Sequence, residues 1–187
     1  MIEIRKAASD TLKLLYTVED RRLDSEEVLV RAKGGAFTLD YKPLPGALWR
    51  MGGAQSDSGI APERWLEDSD RDAYLAWLDG QLAGQMLVEA WEYGLARVRD
   101  VRVALSLRRR GVGESLLALA EEWARAKHFG GLCAETQDGN AGACQFLSAC
   151  GFALGGVDTL RYAARAQGAL QAGGLRPCAL TFYRFFK

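Results

Sequence analysis

Apolar and polar residues alternate with a period of two through much of this chain and switch to helical spacing over a few stretches. The opening MIEIRKA reads as a first strand, and Leu12, Leu15 and Tyr16, with Val18 or Glu19 beyond, fit a helix between about Ser9 and Asp20. EEVLVRAKGGAFTLDYKPL pairs two apolar runs across Lys33-Gly34-Gly35, a hairpin signal. The Pro and Gly content of PLPGALWRMGGAQSDSG marks a loop, and PERWLEDSD marks a short helix.

The second half is more regular. DAYLAWLDGQLAGQMLVEAW breaks at Asp79-Gly80, a dipeptide favoured in tight hairpins because both positions tolerate positive φ. In ARVRDVRVAL the apolar set Val98, Val101, Val103 and Leu105 alternates with Arg97, Arg99 and Arg102, and one slip at Asp100 has the form of a bulge. LRRRGVGESLLALAEEWARAK then places Leu116, Leu117, Ala120, Trp123 and Ala124 on one helical face, with Glu121 and Arg125 spaced i, i+4 on the other. A short strand GLCAE, a helix from near Asn140 to about Cys150, the stretch FALGGVDTLRYAA and a terminal strand PCALTFYRFF complete the order.

Composition narrows the chemistry. A chain of 187 residues with 49% hydrophobic and 10% aromatic content fits one domain, residues 1–187, with a real core. Lys plus Arg equals Asp plus Glu at 24 each, so no global field favours nucleic acid or an anionic membrane. No apolar run reaches the ~18 residues of a spanning helix, and the first residues lack a signal peptide's apolar stretch, so a cytoplasmic protein is expected. Cys133, Cys144, Cys150 and Cys178 form no CxxC pair, and with one histidine the chain offers no metal site; buried reduced thiols are expected. His128 stands where a helix ends against Gly130 and Gly131, as a C-terminal cation and not as part of a hydrolase triad.

The local exception to this neutral balance is Arg108-Arg109-Arg110-Gly111-Val112-Gly113, set between the alternating strand and the amphipathic helix. A P-loop would need Lys after Gly113, and a dinucleotide fingerprint would need Gly where Leu116 stands. R-x-x-G-x-G remains. Glycines allow close backbone approach, a helix N-terminus presents unpaired N–H groups to an anion such as pyrophosphate, and arginines add charge-assisted bonds. The competing reading of these residues alone is a basic loop that caps a helix.

With DGQLAGQMLVEAW, VRDVRVALSLRRRGVGESLL, GGLCAETQDGNAGACQFLSACGF and LGGVDTLRY in that order, the sequence resembles the GNAT acetyltransferase superfamily, and within it the streptothricin acetyltransferases. The resemblance covers about residues 60 to 187. It implies an α/β (α+β) fold with a single mixed, splayed, mostly antiparallel sheet flanked by helices, and acetyl-CoA as co-substrate without a metal. The pantetheine arm would lie beside the strand at Val101, Val103 and Leu105. The pyrophosphate would meet the segment from Arg108 and Arg109 through Arg110, Gly111, Val112, Gly113 and Glu114 to Ser115. Asn140, Ala143 and Phe146 match the family positions on the following helix, and Asn140 suits an N-cap as well.

Acetyl transfer to an amine needs a proton acceptor, because a lysine-like amine with a pKa of about 10.4 is almost wholly protonated at neutral pH. Asp100, Glu92 and Glu89 are the candidate carboxylates, each competing with an ordinary surface role. Where the family often carries a Tyr that protonates the departing thiolate, this chain has Leu147; Tyr162 or a water is the expected substitute. Three functions follow: N-acetylation of a small cationic molecule of streptothricin type; the same reaction on a polyamine, another amino metabolite or a protein N-terminus; or an acyl-CoA-binding protein with little turnover. The expected partner is a small-molecule amine acceptor, with no nucleic acid and no membrane, and a homodimer left open. Variable loops around PLPGALWRMGGAQ and residues 163–176 are expected to choose the acceptor.

Overall fold

The computed structural model describes residues 1–19, 21–51, 60–162 and 177–187. In chain order its strands are β1 (Ile2–Lys6), β2 (Arg21–Lys33), β3 (Ala36–Met51), β4 (Arg71–Leu78), β5 (Gln81–Trp91), β6 (Leu95–Val103), β7 (Gly131–Gln137), β8 (Ala153–Asp158) and β9 (Ala179–Phe185). Its α-helices are α1 (Arg64–Glu67), α2 (Val112–Ala126) and α3 (Ala141–Ala149). The chain is thus of α/β class, with antiparallel strand pairs flanked by helices, and it divides into two compact units.

The first unit comprises Met1–Arg22, Arg50–Leu132 and Phe185–Lys187. Here β1, β4, β5 and β6 lie side by side in that order, each pair antiparallel. Asp79 and Gly80 turn β4 into β5 with φ of 51° and 82°, the positive pair that the hairpin signal requires. One face of this sheet carries α2. Val112, Leu116, Leu117, Ala120, Trp123 and Ala124 are all buried, and each large one of them contributes about 1.5–3 kcal/mol by leaving water. Gly84 permits the close fit: a Cβ there would meet the Arg102 carbonyl oxygen at 2.8 Å and the Leu116 and Val112 side chains at 3.3 Å. The other face packs Leu75, Ala73 and Leu87 against Ala7, Leu15 and Trp65.

The second unit comprises Leu23–Trp49 and Cys133–Arg184. It contains most of the β2–β3 ribbon, which turns at Gly34 and Gly35 with φ of 60° and 80°, and the strands β7, β9 and β8 in that order. Helix α3 meets the ribbon through Gln145 Nε2, which donates to Glu26 at 2.8 Å.

Two expectations need correction. Between Ser9 and Asp20 there is only a 3-10 turn, Leu12–Leu14, because Leu15 is extended and Tyr16 is left-handed with φ 67°. Pro43 to Met51 belongs to β3 instead of a loop; prolines fit a two-stranded ribbon, where one edge of each strand needs no ladder donors. In β6, Arg102 is buried and neutralised by Asp100, while Val101 and Val103 stay half-exposed. Residues 52–55 of the expected acceptor loop and the whole 163–176 segment lie outside the described residues.

Candidate active site

Strand β6 is built around a bulge. Leu87 pairs with Asp100 and Val88 with Val98, so Arg99 is the extra residue, one place from where the alternation slips. Beyond it, Val101 and Val103 share a face with their partners Met86 and Gly84, the α2 side, while Asp100 and Arg102 share the opposite face with Leu87 and Gln85. Leu105 follows, half-buried in a 3-10 turn.

The basic loop enters α2 through two left-handed residues, Arg109 at φ 62° and Gly111 at φ 83°. Gly111 is the N-cap and has no side chain to bond the helix's first N–H groups. The Ser115 N–H already donates to the Gly111 carbonyl at 3.0 Å, so the donors of Val112, Gly113 and Glu114 precede the first intrahelical bond. Left-handed turns at such an entry aim successive N–H groups to one side, and the helix dipole adds to the attraction for an anion. Arg109 and Arg110 are exposed beside them. Arg108 differs: its Nε donates to the Val103 carbonyl at 2.9 Å and its Nη2 to the Arg21 carbonyl at 2.7 Å, so it staples the end of β6 to the start of β2.

The candidate proton carriers occupy unlike settings. Asp100 accepts from Arg102 Nε and Nη2, each at 2.9 Å, and from Gln85 Nε2. With Arg102 4% exposed, removing its carboxylate partner would strand a buried charge at a cost of about 3–5 kcal/mol. Glu89 is buried and paired with Arg99 Nη1 at 2.9 Å. Glu92 lies exposed in the Glu92–Gly94 turn, next to left-handed Tyr93.

In the second unit, Asn140 caps α3, its Oδ1 accepting the Ala143 N–H at 3.1 Å. Phe146 lies half-buried on the same helix, and Leu147 faces the core at 3% exposure. The Tyr162 hydroxyl donates to Glu135 Oε1 at 2.9 Å. Burial and the neighbouring Glu135 carboxylate push its pKa well above that of a free phenol, so its proton is retained at neutral pH. Gln85 belongs to this site as well, and its only mark in the sequence is one polar residue inside an apolar run. Among the described residues no group of three or more His, Cys, Asp or Glu side chains is placed to hold a metal, and no helix is long and apolar enough to cross a membrane.

The family model described as Acetyltransferase (GNAT) family matches residues 41–152. Streptothricin acetyltransferase A of Bacillus subtilis (strain 168) is 39% identical over 98 residues, which is 52% of this chain and 57% of that relative. The present chain therefore aligns with little more than half of that protein's length. Streptothricin acetyltransferase of Streptomyces lavendulae is 31% identical over 167 residues, 86% of each chain. In fold, the chain is similar to a Bacillus anthracis str. Ames protein ascribed to the streptothricin acetyltransferases and solved with acetyl coenzyme A, with a TM-score of 0.85, 22% identity and 100% of each chain covered.

Proposed function

The chain belongs to the acetyltransferase (GNAT) family, and from that premise we propose that it transfers the acetyl group of acetyl-CoA to a primary amine of a small cationic acceptor of streptothricin type. The observation that carries this reading is the entry to α2: a left-handed glycine N-cap without a side-chain cap, flanked by exposed arginines, at the end of a bulged strand. These features fit acetyl-CoA. Backbone donors from Val112 to Glu114, with Arg109 and Arg110, would hold a pyrophosphate, and backbone groups near Val101, Val103 and Leu105 would bond the pantetheine arm as an added strand does. On α3, the resemblance implies that Asn140 would bond the arm and that Ala143 and Phe146 would flank it. The whole chain, residues 1–187, acts in this proposal as one catalytic domain in the cytoplasm.

Acetyl-CoA would supply an acyl group already activated as a thioester. The protein's share is to hold protons. Tyr162 Oη is the hydroxyl proposed to give a proton to the departing sulfur; its bond to Glu135 and its raised pKa make it a weak acid, so its share of the rate is small and the sulfur leaves largely as thiolate. Glu92, exposed and acidic, is the carboxylate proposed to take the amine's proton through water. Streptothricin-type acceptors are favoured because relatives from B. subtilis, Escherichia coli and S. lavendulae carry that name.

The test combines calorimetric titration with acetyl-CoA and thiol release in the presence of streptothricin, a polyamine and a peptide N-terminus. Acetyl-CoA binding with release on streptothricin is expected. Release with only the polyamine or the peptide would move the acceptor to that class, and binding with no release on any amine would leave an acyl-CoA-binding protein in place of an enzyme.

A further inference from the structure

Gln85 has no exposed surface, although its strand neighbours are apolar. Its two polar atoms lie in one directional chain of hydrogen bonds. Oε1 accepts the Tyr16 backbone N–H at 2.7 Å, and Nε2 donates to Asp100 Oδ2. Arg102 closes the chain, donating from Nε to the same oxygen and from Nη2 to Oδ1, each at 2.9 Å. At the other end Tyr16 is held in the left-handed region, φ 67°, while its hydroxyl accepts from Trp65 Nε1 at 2.9 Å and donates to the Ile60 carbonyl at 3.4 Å. Non-glycine residues keep such a backbone only where the surroundings over-determine it.

The direction of this chain is forced. A backbone N–H can only donate, so Gln85 must turn its oxygen toward Tyr16 and its amide hydrogens toward Asp100. A guanidinium also only donates. Asp100 is therefore required as an acceptor on both sides, which an ionised carboxylate satisfies and a protonated or amidated one does not. It sits one residue beyond the bulged Arg99, on the same face of β6 as the side chains that tie down Tyr16.

We infer that Asp100 is a positioning residue: through Gln85 and Arg102 it locks the β6 bulge and the Tyr16 turn into one arrangement, and it does not take the proton of the acceptor amine. Oδ2 accepts from Gln85 Nε2 and Arg102 Nε, and Oδ1 from Arg102 Nη2 and, at 3.2 Å, Nε, so both oxygens already take two donors and taking up a proton there would break a bond that the fold uses. The kinetic arm of this inference rests on the acetyl-transfer reading; the folding arm rests on the hydrogen bonds alone.

The test is a double-mutant cycle with Asp100→Asn and Gln85→Glu. Asp100→Asn alone sets amide hydrogens against either Gln85 Nε2 or Arg102, and Gln85→Glu alone sets one carboxylate against another. Together they restore most of the complementarity: the new carboxylate at position 85 accepts both the Tyr16 N–H and the new amide at position 100, whose oxygen, in the place of Oδ1, keeps Arg102 Nη2 and takes over Arg102 Nε, already 3.2 Å from Oδ1. Each single variant should melt roughly 3–10 °C lower than the parent. Each should also lose up to about 100-fold in acetyl transfer from acetyl-CoA to streptothricin. The double variant should recover most of both losses. Recovery of the melting temperature without recovery of transfer would overturn the inference and make Asp100 the proton acceptor. Melting losses that simply add would also overturn it, because no network would then exist. If the parent protein acetylates nothing, the acetyl-transfer reading fails, and the melting cycle decides the network by the same criterion of recovery against addition.

Discussion

At the scale of single residues, Gly111 and Arg108 separate backbone geometry from charge in the basic loop. Gly111 holds φ 83°, where any other L-residue costs roughly 1–2 kcal/mol and a β-branched one more. Gly111→Val should therefore lower the melting temperature and weaken acetyl-CoA binding together, as calorimetry on the variant would show. Arg108→Lys should also be damaging, although it preserves the charge. One ammonium cannot reproduce the fork that reaches both the Val103 and the Arg21 carbonyls, so the loop loses its tie to β6 and β2. A Lys variant that binds acetyl-CoA as the parent does would show that Arg108 contributes only charge. The sequence marked this arginine as part of a phosphate motif, and it could not reveal the two carbonyls that claim its guanidinium, since one of them belongs to a residue 87 positions away.

At the scale of elements, α3 shows what becomes of the position where the family often carries tyrosine. Leu147 is buried at 3% exposure, so Leu147→Tyr would force a larger, polar side chain into a filled space at a cost of about 1–3 kcal/mol. The melting temperature should fall by roughly 2–10 °C with no gain in turnover. A faster enzyme with an unchanged melting point would mean that the site opens to the acyl group after all. On the same helix, burial and the nearby Asp138 push the Cys144 thiol up to about 12. A thiol reagent at pH 8 should then leave Cys144 unlabelled in the folded protein and label it after denaturation; rapid native labelling would contradict its burial. Elements written by local chemistry were legible from the sequence. The Asp79-Gly80 and Gly34-Gly35 hairpins need only turn residues with positive φ, and the buried stripe of α2 follows from spacing. The helix expected over 9–20 failed because the Tyr16 N–H is claimed by Gln85, 69 residues away, and no local pattern records that competition. The Gln85–Asp100–Arg102 cluster was hidden for a similar reason: one glutamine in an apolar run reads as an interruption, and its partners lie on other elements.

At the scale of the whole molecule, the balance of 24 basic and 24 acidic residues leaves recognition to local sites. The basic loop at α2 is suited to one anion; of the carboxylates on β5, β6 and the turn between them, Glu89 and Asp100 are held in ion pairs and Glu92 is exposed. In the proposed function the basic loop meets the anionic cofactor, and the exposed Glu92 serves the cationic acceptor. The most direct test of this account is the mass of streptothricin after incubation with the protein and acetyl-CoA. The account predicts the gain of one acetyl group, dependent on acetyl-CoA and lost in Gly111→Val. Streptothricin recovered at its original mass, while calorimetry shows acetyl-CoA bound, would contradict it.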